Sequence, residues 1–162
     1  MTQNKDLLIT KILFSVYLIF LTWIIIFKME ADIIAFLTEP VSRTINTIPY
    51  KYMNPMEVFL NILIFIPFGI YSSVTMPKTN NFNKIFLAFT LSLFYEASQF
   101  IFAIGMTDIT DLIDNTLGAI IGIIIFKIFD SLFERYTKKA INIISVAIMF
   151  IFIYIIYKYS LI

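Results

Sequence analysis

Apolar residues fill five windows along the chain, near residues 7–27, 57–76, 84–104, 109–129 and 140–159. Each has the length of a helix that crosses a bilayer, which needs about 20 mostly apolar residues. Short polar breaks separate the later windows: Asn80, Asn81 and Asn83 make one turn, and residues 130–139 form a charged connector. The one sizeable loop covers residues 28–56. In it, Ile33, Ile34, Phe36 and Leu37 lie between Glu30, Asp32 and Glu39, and Pro40 ends the pattern, which predicts an interfacial helix resting as a lid on the bundle. Pro49, Tyr50, Tyr52 and Pro55 then return the chain as an irregular segment. The first window carries Lys11, lacks a small-residue cleavage site and is longer than a signal-peptide core, so it reads as a retained anchor. The first and last windows carry little that is polar and read as lipid-facing scaffold.

The stretch from Glu96 to Gly122 departs from this apolar background. Two helical arms fold on the turn Gly105-Met106-Thr107. At a rise of about 1.5 Å per residue in both arms, Glu96 should lie level with Asn115, and Gln99 with Leu112. On the second arm Asp108, Asp111, Asn115, Gly118 and Gly122 share one helical stripe. The glycines form a small-xxx-small pattern that lets helix backbones approach closely, so one face packs tightly below and presents polar groups above. In the second window Glu57 and Asn61 stand one turn apart. Pro67 further along cannot donate its backbone hydrogen bond, which predicts a kink or break that frees the Leu63 carbonyl for a neighbouring helix.

Composition fixes the class. Of 162 residues 60% are apolar, 17% aromatic and only 14% charged, so the expectation is an all-α, polytopic membrane protein of one domain, a bundle of five transmembrane helices. No cysteine or histidine is present, which removes disulfides, thiolate nucleophiles and the commonest metal ligand and general base. A net charge of +1 with scattered cations gives no argument for nucleic-acid binding. Orientation follows from lysines and arginines in the short loops. An inside N-terminus puts Lys5, Lys11, Lys78, Lys84, Lys127, Arg135, Lys138 and Lys139 inside, and only Lys28, Arg43, Lys51 and Lys158 outside. N-in, C-out is the predicted topology.

This arrangement gathers Glu57, Asn61, Glu96, Gln99, Asp108, Asp111, Asp114 and Asn115 in the outer half of the bundle. A charged side chain at the bilayer centre costs about 2.5–3.5 kcal/mol on insertion scales, so several together need an offset. Four acids fall between Lys84 and Lys127, an interval without a cation. Protonation, Arg43 or Lys51 folding over from the loop, or a bound metal or cationic ligand group would each supply it. Glu96, Gln99 and Asn115 could instead form a network that only fixes the hairpin, and Asp108 could serve the dipole of its own helix. Glu96 is the candidate general base of any chemistry, and Asp108, Asp111 and Asp114 are the candidate ligands of a divalent cation, with magnesium, calcium or manganese suiting an all-oxygen set.

Asn61 with Phe65-Ile66-Pro67-Phe68-Gly69, Glu96 with Gln99, and Asp108, Asp111, Asn115, Gly118 and Gly122 together resemble the VanZ-like family of bacterial membrane proteins, over roughly residues 55–126. The family often has an arginine where this chain has Gly105 and an apolar residue at the place of Asp114, so this cluster is more acidic. The resemblance implies a multi-pass protein of the bacterial cell membrane and a contribution to teicoplanin-type glycopeptide resistance. Its partners would be the lipid bilayer and a lipid-linked cell-wall precursor or the glycopeptide. Non-enzymatic binding in the outward acidic pocket stands first. A hydrolase or transferase acting on a lipid headgroup with a carboxylate-bound cation, and a lipid or small-molecule transporter, stay open beside it.

Overall fold

The structure, a computed structural model, describes residues 2–27, 44–51, 54–103 and 106–160. Its helices are α1 (Thr2–Phe27), α2 (Pro55–Thr75), α3 (Asn81–Phe102), α4 (Ile109–Phe133) and α5 (Thr137–Ser160), with a 3-10 turn at Glu134–Tyr136 between the last two. The expected interfacial helix at 30–39, Arg43 and the Gly105 turn lie outside the described residues. Four stretches are long and apolar enough to cross a membrane: Asn4–Ile26, Pro55–Thr75, Asn81–Phe102 and a run of 46 residues, Ile109–Tyr154.

Local chemistry sets several helix ends. Asn54 caps α2 by accepting from the Met56 amide, and Pro55 follows where a helix has no use for an N–H. Asn80 caps α3 through the Asn83 amide. Ala103 closes α3 in the left-handed region, at φ 56°. Of the kink or break expected at Pro67, the break does not occur: α2 runs on as one helix through it. A neighbouring helix does supply a donor nearby: the Tyr17 hydroxyl of α1 donates to the carbonyl of Ile64, at 2.7 Å, one residue beyond the one expected.

Contacts fix the directions of the helices. Ile62 and Ile66 of α2 meet Gly118 and Gly122 of α4, in rising order on both, so α2 and α4 run parallel. In α1 and α5, Thr10 pairs with Asn142 and Phe20 with Phe152, again in parallel. Thr22 and Ile25 of α1 meet Tyr95 and Gln99 of α3 in the same sense. Tyr17 and Phe14 meet Ile64 and Phe68 in falling order, so α1 is antiparallel to α2. The chain therefore alternates direction from helix to helix. The core lies among α1, α2, α3 and α4, built on Leu21, Phe65, Phe68, Ala88, Tyr95 and Ala119.

Many apolar side chains of α1 and α5 are exposed, as the scaffold reading expects, but both helices also carry buried polar residues that it left out. Thr10 is fully buried and donates to Asn142 Oδ1 at 2.8 Å, while Asn142 Nδ2 donates to the Asp6 carbonyl at 2.9 Å. One asparagine thus ties the last helix to the first turns of α1.

Sequence patterning gave no strand, yet the structure has a parallel pair, β1 (Thr44–Asn46) beside β2 (Met106–Asp108), with Asn46 opposite Asp108. A two-stranded ladder is weak by itself. Here it gives backbone partners to chain that leaves the helices at the rim of an apolar bundle, where an unpaired amide is costly. It also corrects the depth pairing of the hairpin. Three extended residues cover about 10 Å, the length of roughly six or seven helical residues, so β2 runs back beside the end of α3 before α4 begins. Glu96 is consequently level with Asp108, and Asn115 with Ser92.

An acidic cluster clasped by the chain that precedes α2

The cluster is built where β2 meets α3. The carboxylate of Glu96, 4% exposed, accepts the backbone N–H of Asp108 at 2.9 Å, and the Thr107 hydroxyl donates to the Glu96 carbonyl at 3.3 Å. Asp108 caps α4: its Oδ1 accepts the Thr110 amide at 2.8 Å. Its Oδ2 accepts from Asn46 Nδ2 at 2.9 Å, which fastens β1 side chain to side chain. One turn into α4, Asp111 accepts from Asn61 Nδ2 of α2 at 2.7 Å. Asp114, 1% exposed, accepts the Tyr50 hydroxyl at 3.0 Å.

Three aspartates spaced by three residues fan out by about 60° per step around a helix. That drift explains why each meets a different element: β1, α2 and the strap before α2. Among the described residues no group of three or more acids is arranged to hold a metal ion. Asn115 turns toward α3 and donates to Ser92 Oγ at 2.9 Å. Gln99 does not join the acids; its amide donates to the Ile25 carbonyl of α1 at 2.9 Å. Glu57 stands exposed in the first turn of α2, one turn from Asn61. Of the expected residues, Glu96, Asp108 and Asp114 are linked by hydrogen bonds that pass through Asn46, Thr110 and Tyr50, Asn61 and Asp111 form a separate pair between α2 and α4, Asn115 bonds to α3, Gln99 bonds to α1, and Glu57 stands exposed.

Sequence reasoning missed the clasp. Residues 44–51 carry Asn46 and Tyr50 onto the acids, and the Tyr50 amide donates to Thr110 Oγ1 at 3.0 Å. Asn46 Oδ1 also accepts the Ile48 amide at 3.3 Å, a local turn that asparagine favours. Tyr50 sits at φ 58°, a conformation that costs an L-residue about 1 kcal/mol or more, and its two hydrogen bonds hold it there. The Asn-x-x-Pro-Tyr run was the available signal, a turn-former and an amphipathic ring facing an acidic hairpin.

Loss of water around its hydroxyl, followed by the Asp114 hydrogen bond and charge, push the Tyr50 phenol above its ordinary value of about 10. The folded state thus keeps the proton longer than the unfolded chain does. Its stabilising contribution is complete below the unfolded value and is lost as pH rises through the folded one. The midpoint of thermal unfolding in detergent should therefore fall more steeply between about pH 9 and pH 11 in the wild type than in Tyr50→Phe. Identical slopes would mean that the phenol is not coupled to folding.

A separate cavity of about 420 Å³ lies at the opposite end of the bundle, lined in part by Asp6, Ser73, Asp130, Glu134, Arg135 and Lys138. None of the expected site residues lines it.

The family model VanZ/LLP1 matches residues 14–130, a segment that contains every residue of the cluster. The chain belongs to the VanZ/LLP1 family. This VanZ/LLP1 member is 34% identical to Protein VanZ of Enterococcus faecium over 149 residues, covering 90% of each chain. No solved structure matches it.

Proposed function

We propose that this VanZ/LLP1 member is a five-crossing protein of the bacterial cell membrane, N-in and C-out, whose outward acidic cluster binds a surface or lipid-linked ligand. Through that binding it contributes to teicoplanin-type glycopeptide resistance. The observation that carries this reading is the family relationship over 90% of the chain, combined with Glu96, Asp108, Asp111 and Asp114 meeting at one end of the bundle.

Support for five crossings comes from the alternating helix directions and from the length of the last apolar run. Forty-six residues of helix would extend about 69 Å, more than twice a hydrocarbon core. The charged 3-10 turn at Glu134–Tyr136 divides it into two lengths that each suit one crossing. Because the chain contains no cysteine, single-cysteine variants report topology without background. An impermeant thiol reagent should label Ile48→Cys from outside intact cells and should reach Asn80→Cys and Lys138→Cys only after permeabilisation. The reverse pattern would invert the orientation and place the acids on the inner face.

The functional test is drug susceptibility of a Gram-positive host expressing wild type, Glu96→Gln or Asp111→Asn at matched membrane levels. Teicoplanin protection of severalfold, with vancomycin susceptibility little changed, is expected from the wild type and not from either variant. Protection retained in both variants would return the acids to a structural role, and no protection from the wild type would end the resistance reading.

A further inference from the structure

We propose that the rim of the bundle opposite the acidic cluster, where α3 begins and α4 ends, holds a phosphate site with Lys84 and Lys127 as its cations. The phosphate is carried by an anionic phospholipid of the adjoining leaflet or is free in solution. Lys84 is the fourth residue of α3 and only 5% exposed. A lysine is almost never buried unless it is paired. Among the described residues neither Lys84 nor Lys127 is paired with a carboxylate, and the charge that acts on the Lys84 ammonium, that of Lys127, has the same sign. The acids outside the described residues are too distant to supply the partner. Glu30, Asp32 and Glu39 are each within five residues of Phe27 or Thr44, about 18 Å of fully extended chain. Those two anchors lie near Gln99 and Met106, where α3 has already risen about 22 Å from Lys84. The counter-charge therefore comes from outside the chain.

Three features at the head of α3 suit an anion. Helical side chains lean toward the N-terminus of their own helix, so Lys84 points to that head. There the Asn80 side chain accepts the Asn83 amide and the Asn80 carbonyl accepts the Lys84 amide, while the amides of Asn81 and Phe82 have no acceptor within the helix. Lys127 closes the site from α4: counted from the Asn115–Ser92 hydrogen bond along antiparallel arms, Lys127 and Asn80 stand the same number of residues away. The site is also open. Among the described residues the fully occluded polar side-chain atoms without a partner are on Asp114 and Asn115, so the Lys84 stem is packed while its ammonium keeps access to the rim. Two cations and two unspent amides call for an anion with several acceptor oxygens, which a phosphate supplies. Because α3 is long and apolar enough to cross the membrane, its head stands at the level of lipid phosphates, and a phospholipid is the source expected.

The test uses the full chain purified in detergent. Native mass spectrometry compares retention of phosphatidylglycerol with phosphatidylcholine of the same acyl chains, and thermal unfolding is followed in sodium phosphate and in sodium chloride at matched pH and ionic strength. Retention of phosphatidylglycerol should exceed that of phosphatidylcholine by about tenfold, the factor that one or two charge-assisted contacts supply. Lys84→Met should remove the preference and leave the unfolding midpoint of the lipid-free protein at or above that of the wild type, since an unpaired cation is withdrawn from a buried position. Lys127→Gln should weaken the preference severalfold. Lys138→Gln removes the same charge elsewhere on this rim, beside the cavity, and should keep it. Stabilisation by inorganic phosphate without a headgroup preference would identify the solution source. Equal retention of the two lipids with no effect of phosphate overturns the proposal. So does an equal loss in Lys84→Met and Lys138→Gln, which would leave only a diffuse positive rim, and so does a preference kept in both Lys84→Met and Lys127→Gln. Should Lys84→Met fail to fold, Lys127→Gln at its exposed position decides against the Lys138→Gln control.

Discussion

Gly122→Ala should destabilise the protein by about 2 kcal/mol or more, against the direction that helix propensity alone demands. In an isolated helix the exchange gains about 1 kcal/mol. Here a Cβ at Gly122 would stand 2.1 Å from the Ile66 carbonyl oxygen and 3.0 Å from the Cα of Gly69. Gly69 faces the same problem in reverse, with the Ala119 carbonyl oxygen 2.1 Å from its Cβ position. The obstructing atoms are backbone, so no side chain can rotate away, and α2 and α4 must move apart. Overpacking of a fitted interior costs about 1–3 kcal/mol, and a backbone obstruction on both helices belongs at the upper end or beyond. Thermal unfolding in detergent, with Ile124→Ala on the exposed side of α4 as a control, measures the difference. A Gly122→Ala protein as stable as the control would mean that the two helices do not pack this closely. The same separation would stretch the Asn61–Asp111 hydrogen bond, since it joins the same two helices. Fold and site should therefore fail together at this position.

That coupling marks what was legible in the sequence. The apolar windows found the helices to within a few residues, because helix length and hydropathy are local properties, and the Gly118–Gly122 stripe pointed to a face of close approach. The convergence of Asn61, Glu96, Asp108 and Asp111 was legible for the same reason: helical spacing places them on facing stripes. The level pairing of Glu96 with Asn115 was not, since it assumed helical rise on both sides of the turn. Extended β2 shifts the hairpin by about one turn, so that Asn115 falls level with Ser92, and it leaves Asp108 as the neighbour of Glu96. Nothing in a hydrophobic pattern reports a three-residue parallel ladder, whose partner strand lies some 60 residues earlier.

The scaffold reading of α1 described its exposed face and missed its inward one by a related route. Its apolar pattern says that the helix is buried in something, lipid or protein, and does not say which. Thr10, Tyr17, Thr22 and Leu21 turn inward, and each hydroxyl reaches another helix, at Asn142, the Ile64 carbonyl and Tyr95. A hydroxyl on an apolar helix satisfies its own backbone as easily as a neighbour, as Thr22 also does with the Leu18 carbonyl, so sequence alone leaves its partner open.

Glu96 separates fold from function, because two substitutions at it should give different results. Its carboxylate accepts the amide that begins α4, and its own carbonyl accepts the Thr107 hydroxyl, so the residue pins β2 against α3. Glu96→Ala leaves the Asp108 amide without its partner in a buried setting and opens a cavity besides. Leaving a buried polar group unsatisfied costs about 1–3 kcal/mol, and the lost packing adds to it, so a loss of about 3 kcal/mol is expected. Glu96→Gln keeps the shape and an oxygen able to accept the same amide, and it replaces an ionisable group beside Asp108 and Asp111 by a neutral one. It should cost less than about 1 kcal/mol. Unfolding midpoints of the two variants in one detergent check the split, and β1 gives an independent readout because its register depends on β2 staying in place. If Glu96→Gln is as damaging as Glu96→Ala, the carboxyl group itself holds the hairpin together, and loss of drug protection in Glu96→Gln would then report unfolding. If only Glu96→Ala is damaging, the amide variant is a folded protein with an altered site, and its phenotype speaks for the chemistry of the cluster.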